Sequence, residues 1–137
     1  MKFDELEKDL MKFLLAGDDP VLATLREQYA VSVIMDRTFT GVGSFTNFAI
    51  PEGTTPVKPA NIEINDVFLQ LQGVKFGFLV ILFVRNGYMS TLEIVHVSTD
   101  LLPEEPVVES ISYRRTNKGD FNVRDMEALR HSWSGRQ

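Results

Sequence analysis

The spacing of apolar residues predicts two helices at the start of the chain. Over residues 3–16, apolar side chains recur at spacings of three and four, so they share one face of a helix. Gly17 suits the end of this helix, because glycine adopts a positive φ without a steric clash. Asp19 and Pro20 suit the cap and first position of a second helix, which extends to about Tyr29. The inward residues of the first helix are Phe3, Leu6, Leu10, Phe13 and Leu14.

After the second helix the apolar period changes to two, which predicts strands. In the first strand, Val31, Val33 and Met35 alternate with Ser32, Ile34 and Asp36, so the two sets point to opposite faces. The inward parity changes at Asn65 and Asp66, which predicts a bulge in the third strand. The predicted strands cover residues 30–39, 45–50, 61–72, 76–84, 88–97 and 107–115.

The fourth and fifth strands are predicted to form a hairpin. Residues 78–84 are apolar at every position, which is typical of a strand buried on both faces. Asn86 and Gly87 offer a two-residue turn, since both tolerate a positive φ. With that turn, the expected cross-strand pairs are Arg85 with Tyr88, Phe83 with Ser90, Ile81 with Leu92, Leu79 with Ile94, Leu82 with Thr91 and Val80 with Glu93.

A short helix is predicted near the C-terminus. Asn122 suits its cap, and Val123, Met126 and Leu129 are spaced to face inward. Residues 131–137 are expected to fray.

This order of elements predicts an α+β fold: two N-terminal helices, an antiparallel sheet of five to six strands and a short C-terminal helix. Hairpin-length connections and the lack of strand–helix alternation favour helices on one side of the sheet. We expect a single domain over residues 1–137. The pattern does not decide between an open sheet and a closed barrel.

Composition excludes several classes of site and location. The chain has no cysteine, which excludes disulfides, a thiolate nucleophile and cysteine-based metal centres. Asp4 and Glu5 stand where a signal peptide carries positive charge. The longest apolar run, Phe76–Val84, is too short to cross a bilayer. We therefore predict a cytoplasmic protein with no membrane partner.

The charge is acidic and uneven. The net charge is −5, and a negative surface repels nucleic-acid phosphates, so we predict no nucleic-acid partner. Residues 1–108 hold 8 Lys and Arg against 15 Asp and Glu, whereas residues 109–137 hold 6 against 4. The acidic part favours binding to a basic protein surface.

No set of residues with catalytic spacing emerges. Gly41 and Gly43 follow a strand, but a dinucleotide fingerprint needs a third glycine and a following helix. His96 and His131 are the only histidines, and no nucleophile elbow is present. We predict no catalytic residues, no cofactor and no metal, so a non-enzymatic protein is favoured over an enzyme.

Glu93 is the most informative polar residue, because its strand neighbours are apolar or small. A carboxylate in such company lies at a solvated edge, pairs with an arginine such as Arg37 or Arg85, or has a raised pKa in a pocket. The candidate pocket or interaction residues are Glu93, Arg37, Asp36, Phe39, Phe45, Phe48 and Phe78. The four phenylalanines would line the pocket, with Glu93 or Asp36 as its polar group.

The middle of the chain resembles a family of small uncharacterised bacterial proteins. The likeness rests on the glycine corner within Arg37–Thr46, on the hairpin stretch Leu82–Gly87, and on Leu92 and Glu93. It implies a bacterial or phage-like single domain and carries no activity with it.

Three functions remain in competition. The favoured one is a small acidic interaction protein (an inhibitor, adaptor or immunity-type protein) that binds a protein partner. The first alternative is a small-molecule-binding domain or enzyme with an aromatic-lined pocket. The second is a homo-oligomeric structural or chaperone-like module, in which strands pair across a two-fold axis as in a homodimer.

Overall fold

The computed structural model describes residues 2–96, 98, 101–114 and 122–135. In these residues two helices precede six strands and a last helix follows, as the apolar periodicity predicts. The elements are α1 Phe3–Leu14, α2 Pro20–Val31, β1 Val33–Phe39, β2 Gly43–Ala49, β3 Ile62–Leu71, β4 Phe78–Arg85, β5 Tyr88–His96, β6 Val108–Tyr113 and α3 Met126–Trp133.

The strands form one antiparallel sheet in the order β1-β2-β5-β4-β3-β6. The β4–β5 hairpin lies in the middle, because β5 pairs with β2 as well as with β4. Among the described strands β1 and β6 do not pair with each other, so this sheet has two edges and is open.

The helices cover one face of the sheet, which is called the covered face below. Contacts from two helices fix it: Glu7 of α1 reaches Thr46 of β2, and Tyr29 of α2 packs against Phe48. Leu129 of α3 joins the same hydrophobic core. The apolar stripe of α1 is therefore core rather than a docking surface. Its fully buried members are Leu6, Leu10 and Leu14.

The start of α2 follows the sequence pattern and its end does not. The Asp19 carboxylate accepts hydrogen bonds from the backbone N–H groups of Val21 and Leu22, as a cap should. The helix then continues to Val31, past the predicted end at Tyr29. The sequence pattern assigns residues 30 and 31 to the first strand, because Val31 fits the period of a strand as well as that of a helix.

A bulge at Ser90 makes the predicted hairpin register wrong beyond the turn. Arg85 does lie opposite Tyr88, as the Asn86-Gly87 turn requires. The register then shifts by one residue, because Ser90 has no residue opposite it. The observed pairs are Phe83 with Thr91, Leu82 with Leu92, Ile81 with Glu93, Val80 with Ile94 and Leu79 with Val95. The bulge predicted in β3 is confirmed between Ile64 and Val67.

The first strand, β1, and the last helix, α3, complete the fold. Val33 and Met35 of β1 are exposed, because β1 is an edge strand with a neighbouring strand on one side only. Asp125, not Asn122, caps α3 through the N–H of Ala128. The end of α3 is anchored, since the indole of buried Trp133 donates to the Glu63 carbonyl at 3.1 Å.

Candidate functional site

The face of the sheet opposite the helices carries a continuous group of apolar side chains. Register and alternation place these side chains on the same face, and each is half-buried without joining the hydrophobic core. No helix of the described chain packs on them. This surface is called the uncovered face, and its apolar members are Phe45, Phe68, Leu79, Ile81, Phe83 and Val95.

The sequence of β4 explains why this face is apolar. An antiparallel sheet with helices on one side usually alternates apolar residues toward the core with polar residues toward water. In β4, Leu79, Ile81 and Phe83 occupy the water-facing positions. A contiguous apolar surface of this kind is typical of a binding site.

Glu93 lies at the centre of the uncovered face. Its direct cross-strand neighbours are Phe45 on β2 and Ile81 on β4. Burial among such side chains raises the pKa of its carboxyl above the ordinary value. Among the described residues, no group donates a hydrogen bond to this carboxylate and no cation pairs with it.

The two arginines expected beside Glu93 bind elsewhere. Arg37 forms a bidentate ion pair with Glu7, and its Nε lies 3.3 Å from the Glu7 carboxylate. Arg85 donates to the hydroxyls of Ser90 and Thr91, at 3.1 and 3.3 Å, and its guanidinium lies over the Phe83 ring.

Glu7 is the polar centre of the covered face. Its buried carboxylate accepts hydrogen bonds from Arg37 and from the Thr46 hydroxyl, which ties α1 to β1 and β2. Burial, and secondarily the Glu7 carboxylate, raise the pKa of Tyr29. The arrangement is a satisfied structural ion pair.

The phenylalanines expected to line one pocket are distributed over three surroundings. Phe48 and Phe78 lie in the core on the covered face, and Phe45 lies on the uncovered face. Phe39 is exposed at the sheet edge, with its ring 5.0 Å from that of Phe3. Asp36 accepts a hydrogen bond from Asn47 at 2.7 Å. Of the seven candidates, only Phe45 and Glu93 are therefore direct neighbours on the uncovered face.

His96 is buried, with backbone partners for both ring nitrogens. Its Nε2 lies 2.8 Å from the Phe76 carbonyl, and its Nδ1 lies 3.0 Å from the Ser98 N–H. The carbonyl requires a proton on Nε2, so Nδ1 accepts from Ser98. Within the described residues, no group of three or more His, Cys, Asp or Glu is placed to hold a metal ion.

Sequence inspection missed two residues that organise the covered side. The fully buried side chain of Gln28 donates to the Thr55 and Gly87 carbonyls and accepts from the Met89 N–H. Arg124 pairs with Asp66, at 2.7 and 2.8 Å, and donates to the last carbonyls of α1. The partners of Gln28 on the hairpin are 59 and 61 residues away, so no local signal exists.

A groove of about 740 Å³ lies between α1 and α2. Its walls include Met11 and Leu15, which are already buried in the core. The Arg26 guanidinium on its rim donates to the Leu15 and Gly17 carbonyls and so closes the end of α1. The groove belongs to helix packing, and the uncovered face is the stronger candidate site.

Comparison of the chain with models of protein families, with curated proteins and with solved structures finds no match. The resemblance to small bacterial proteins therefore stays an expectation from the motifs alone. In the part of the chain that the structure describes, no helix has both the length and the apolar character to cross a membrane.

Proposed function

We propose that this chain is a protein-interaction module that binds its partner through the uncovered face. The observation that carries the proposal is the apolar surface around Glu93, whose carboxylate has no cationic partner among the described residues. Central apolar residues surrounded by polar ones are typical of protein interfaces.

Charge indicates the kind of partner. Glu93 and Glu63 lie on the uncovered face together with one arginine, Arg85, and the chain as a whole has a net charge of −5. A partner that places a lysine or arginine among apolar side chains would pair with Glu93 and cover the apolar residues around it. Long-range attraction to such a basic partner also speeds association.

The variant Ile81→Lys tests this interface. Ile81 lies directly opposite Glu93, so the new ammonium group supplies within the chain the cation that the partner would bring. The half-buried position admits a long side chain whose charge reaches water, so folding is retained. The matched control is Val123→Lys, because Val123 is exposed, precedes α3 and belongs to no strand of the sheet.

The experiment captures proteins from the host lysate on the immobilised wild-type chain and on both variants. We expect one stoichiometric protein that wild type and Val123→Lys retain and Ile81→Lys does not. We further expect high salt to release it, because the contact is partly electrostatic. Equal retention by Ile81→Lys, or retention of no protein by the wild type, would overturn the proposal.

A further inference from the structure

The edge strand β1 has an unusual concentration of exposed apolar side chains. The described residues leave nine large apolar side chains exposed, and five of them lie within residues 31–39. Their exposed fractions range from 46% to 65%. They are Val31, which ends α2, and Val33, Ile34, Met35 and Phe39 of β1. An exposed apolar edge whose backbone groups face outward is a template for pairing with another strand.

β1 carries two charged residues, and only one of them is withdrawn from solvent. Asp36 is hydrogen-bonded to Asn47 of the neighbouring strand β2. Arg37 is paired with Glu7 of α1. The protection that remains is exposed Asp36 and the bulge between Ile34 and Asp36, which interrupts the register with β2.

The other edge of the sheet is polar. In β6, Glu109 and Ser110 are exposed, and Ser112 shares their strand. Pairing of β1 with β6 of the next copy would place apolar side chains beside polar ones. It would also leave a free edge at each end, so that further copies could add without limit. Pairing of β1 with β1 joins like edges and closes after two copies.

The available apolar area is sufficient for a weak dimer. The exposed parts of the four apolar residues in β1 amount to roughly 400 Å² per copy, so two facing edges supply up to about 800 Å², which is the size of a weak interface. Backbone hydrogen bonds between the two strands add to this. Each copy has a net charge of −5, so repulsion opposes the pairing at low salt.

We propose that β1 pairs antiparallel with β1 of a second copy of this chain, about a two-fold axis normal to the sheet. This symmetry places the helices of both copies on the same side and joins their uncovered faces into one surface. The proposal is independent of the proposed function, because it concerns the sheet edge and not the face around Glu93.

Sedimentation equilibrium of the full chain from micromolar to submillimolar concentration tests this pairing. We expect a monomer–dimer equilibrium that strengthens as salt rises, because screening weakens the repulsion between acidic copies. Partner binding through Glu93 is expected to weaken under the same change, so the two proposals can fail separately.

A matched pair of variants locates the contact. Val33 and Val123 are 62% and 63% exposed, so Val33→Lys and Val123→Lys make the same change at the edge and away from it. Val33→Lys should raise the dissociation constant of the dimer about tenfold or more, and Val123→Lys should leave it nearly unchanged. Circular dichroism and thermal unfolding confirm that both variants fold.

Cross-linking gives a second measurement that does not depend on a destabilising charge. The natural chain has no cysteine, so single substitutions such as Val33→Cys, Met35→Cys and Thr38→Cys report only their own contacts. We expect disulfide-linked dimers from at least one β1 position and none from Val123→Cys. A chain that stays monomeric at every concentration, or equal effects of both lysine variants, would overturn the pairing.

Discussion

Glu7 lies on the covered face of the sheet and Glu93 on the uncovered face, and their carboxylates have different surroundings. Glu7 is buried but accepts hydrogen bonds from Arg37 and Thr46. Glu93 is half-buried between Phe45 and Ile81 and has no such partner among the described residues. The more deeply buried carboxylate is therefore the one whose desolvation is compensated.

This difference separates a structural charge from a candidate binding charge. A buried ion is compatible with a stable fold when its partners are in place. Removing one partner destabilises the folded state strongly. An uncompensated carboxylate in apolar surroundings costs free energy that a binding partner can recover. The following predictions test whether the two faces differ in this way.

The largest effect is expected for Glu7→Ala. This change leaves the Arg37 guanidinium partly buried without its counter-ion, so the free energy of unfolding should fall by about 3 to 5 kcal/mol. Urea denaturation measures the loss. Glu5→Ala is the control, because Glu5 is exposed in the same helix and should change stability very little. Similar losses from both variants would mean that Glu7 is not a structural charge.

Adjacent residues of β4 compare the two faces in one strand. Leu82 is fully buried on the covered face, whereas Ile81 is half-buried on the uncovered face. Leu82→Ala should lower the free energy of unfolding by about 3 kcal/mol, because it leaves a cavity. Ile81→Ala should lower it by about 1 kcal/mol, because water fills the space. Chemical denaturation of both variants measures the two losses in the free energy of unfolding. Equal costs would indicate that the uncovered face is packed as tightly as the core.

Gln28 tests the covered face with an uncharged group. Gln28→Ala removes the partner of the buried Met89 N–H and of two carbonyls, so the free energy of unfolding should fall by about 2 kcal/mol. Hydrogen exchange should also show faster opening of the β4–β5 turn. The neighbouring Glu27 is exposed, and Glu27→Ala serves as the control. An unchanged turn would show that Gln28 does not hold α2 to the hairpin.

The smallest effect is expected for Glu93→Gln, with the opposite sign. The pKa of Glu93 is raised in the folded state, so the folded state loses stability as pH rises from the ordinary glutamate pKa through the raised one. Glu93→Gln should thus increase stability at pH 7, within about 0.5 kcal/mol, and lose this advantage at pH 3. Thermal unfolding at both pH values measures the difference.

Glu52→Gln removes the same charge from an exposed loop and reports the effect of net charge alone. If Glu93→Gln destabilises the protein at pH 7 beyond that control, Glu93 has a compensating partner. The contrast with Glu7 would then be incorrect.

The sequence predicted features that depend on nearby residues. Asp19 capped α2 as expected, and Gly17 has a positive φ of 133° at the end of the first helical segment. The parity change at Asn65 and Asp66 marked the bulge in β3. Each of these depends on backbone preferences within a few residues, so a local pattern is enough to find it.

The candidate site was predicted only in part. Alternation along the strands singled out Glu93 and Phe45 one at a time, and the register of β2 with β5 is what makes them direct neighbours. Arg37 was expected to bind Glu93 and instead binds Glu7, which is 30 residues away in sequence. Its choice of partner depends on how α1 crosses the sheet, and the alternation of β1 contains no information about that.

The sequence by itself determined the helices, the approximate strands and the Asn86-Gly87 turn, because short-range sterics and apolar periodicity encode them. Tertiary structure decided the insertion of β5 between β2 and β4, the register shift at Ser90 and the identity of the covered face. The physical reason is clearest in β4. This strand is apolar on both faces from residue 78 to residue 84, so its sequence does not distinguish core from surface. The docking of the helices makes that distinction, leaving Ile81 and Phe83 with Glu93 on the face that we propose binds a partner.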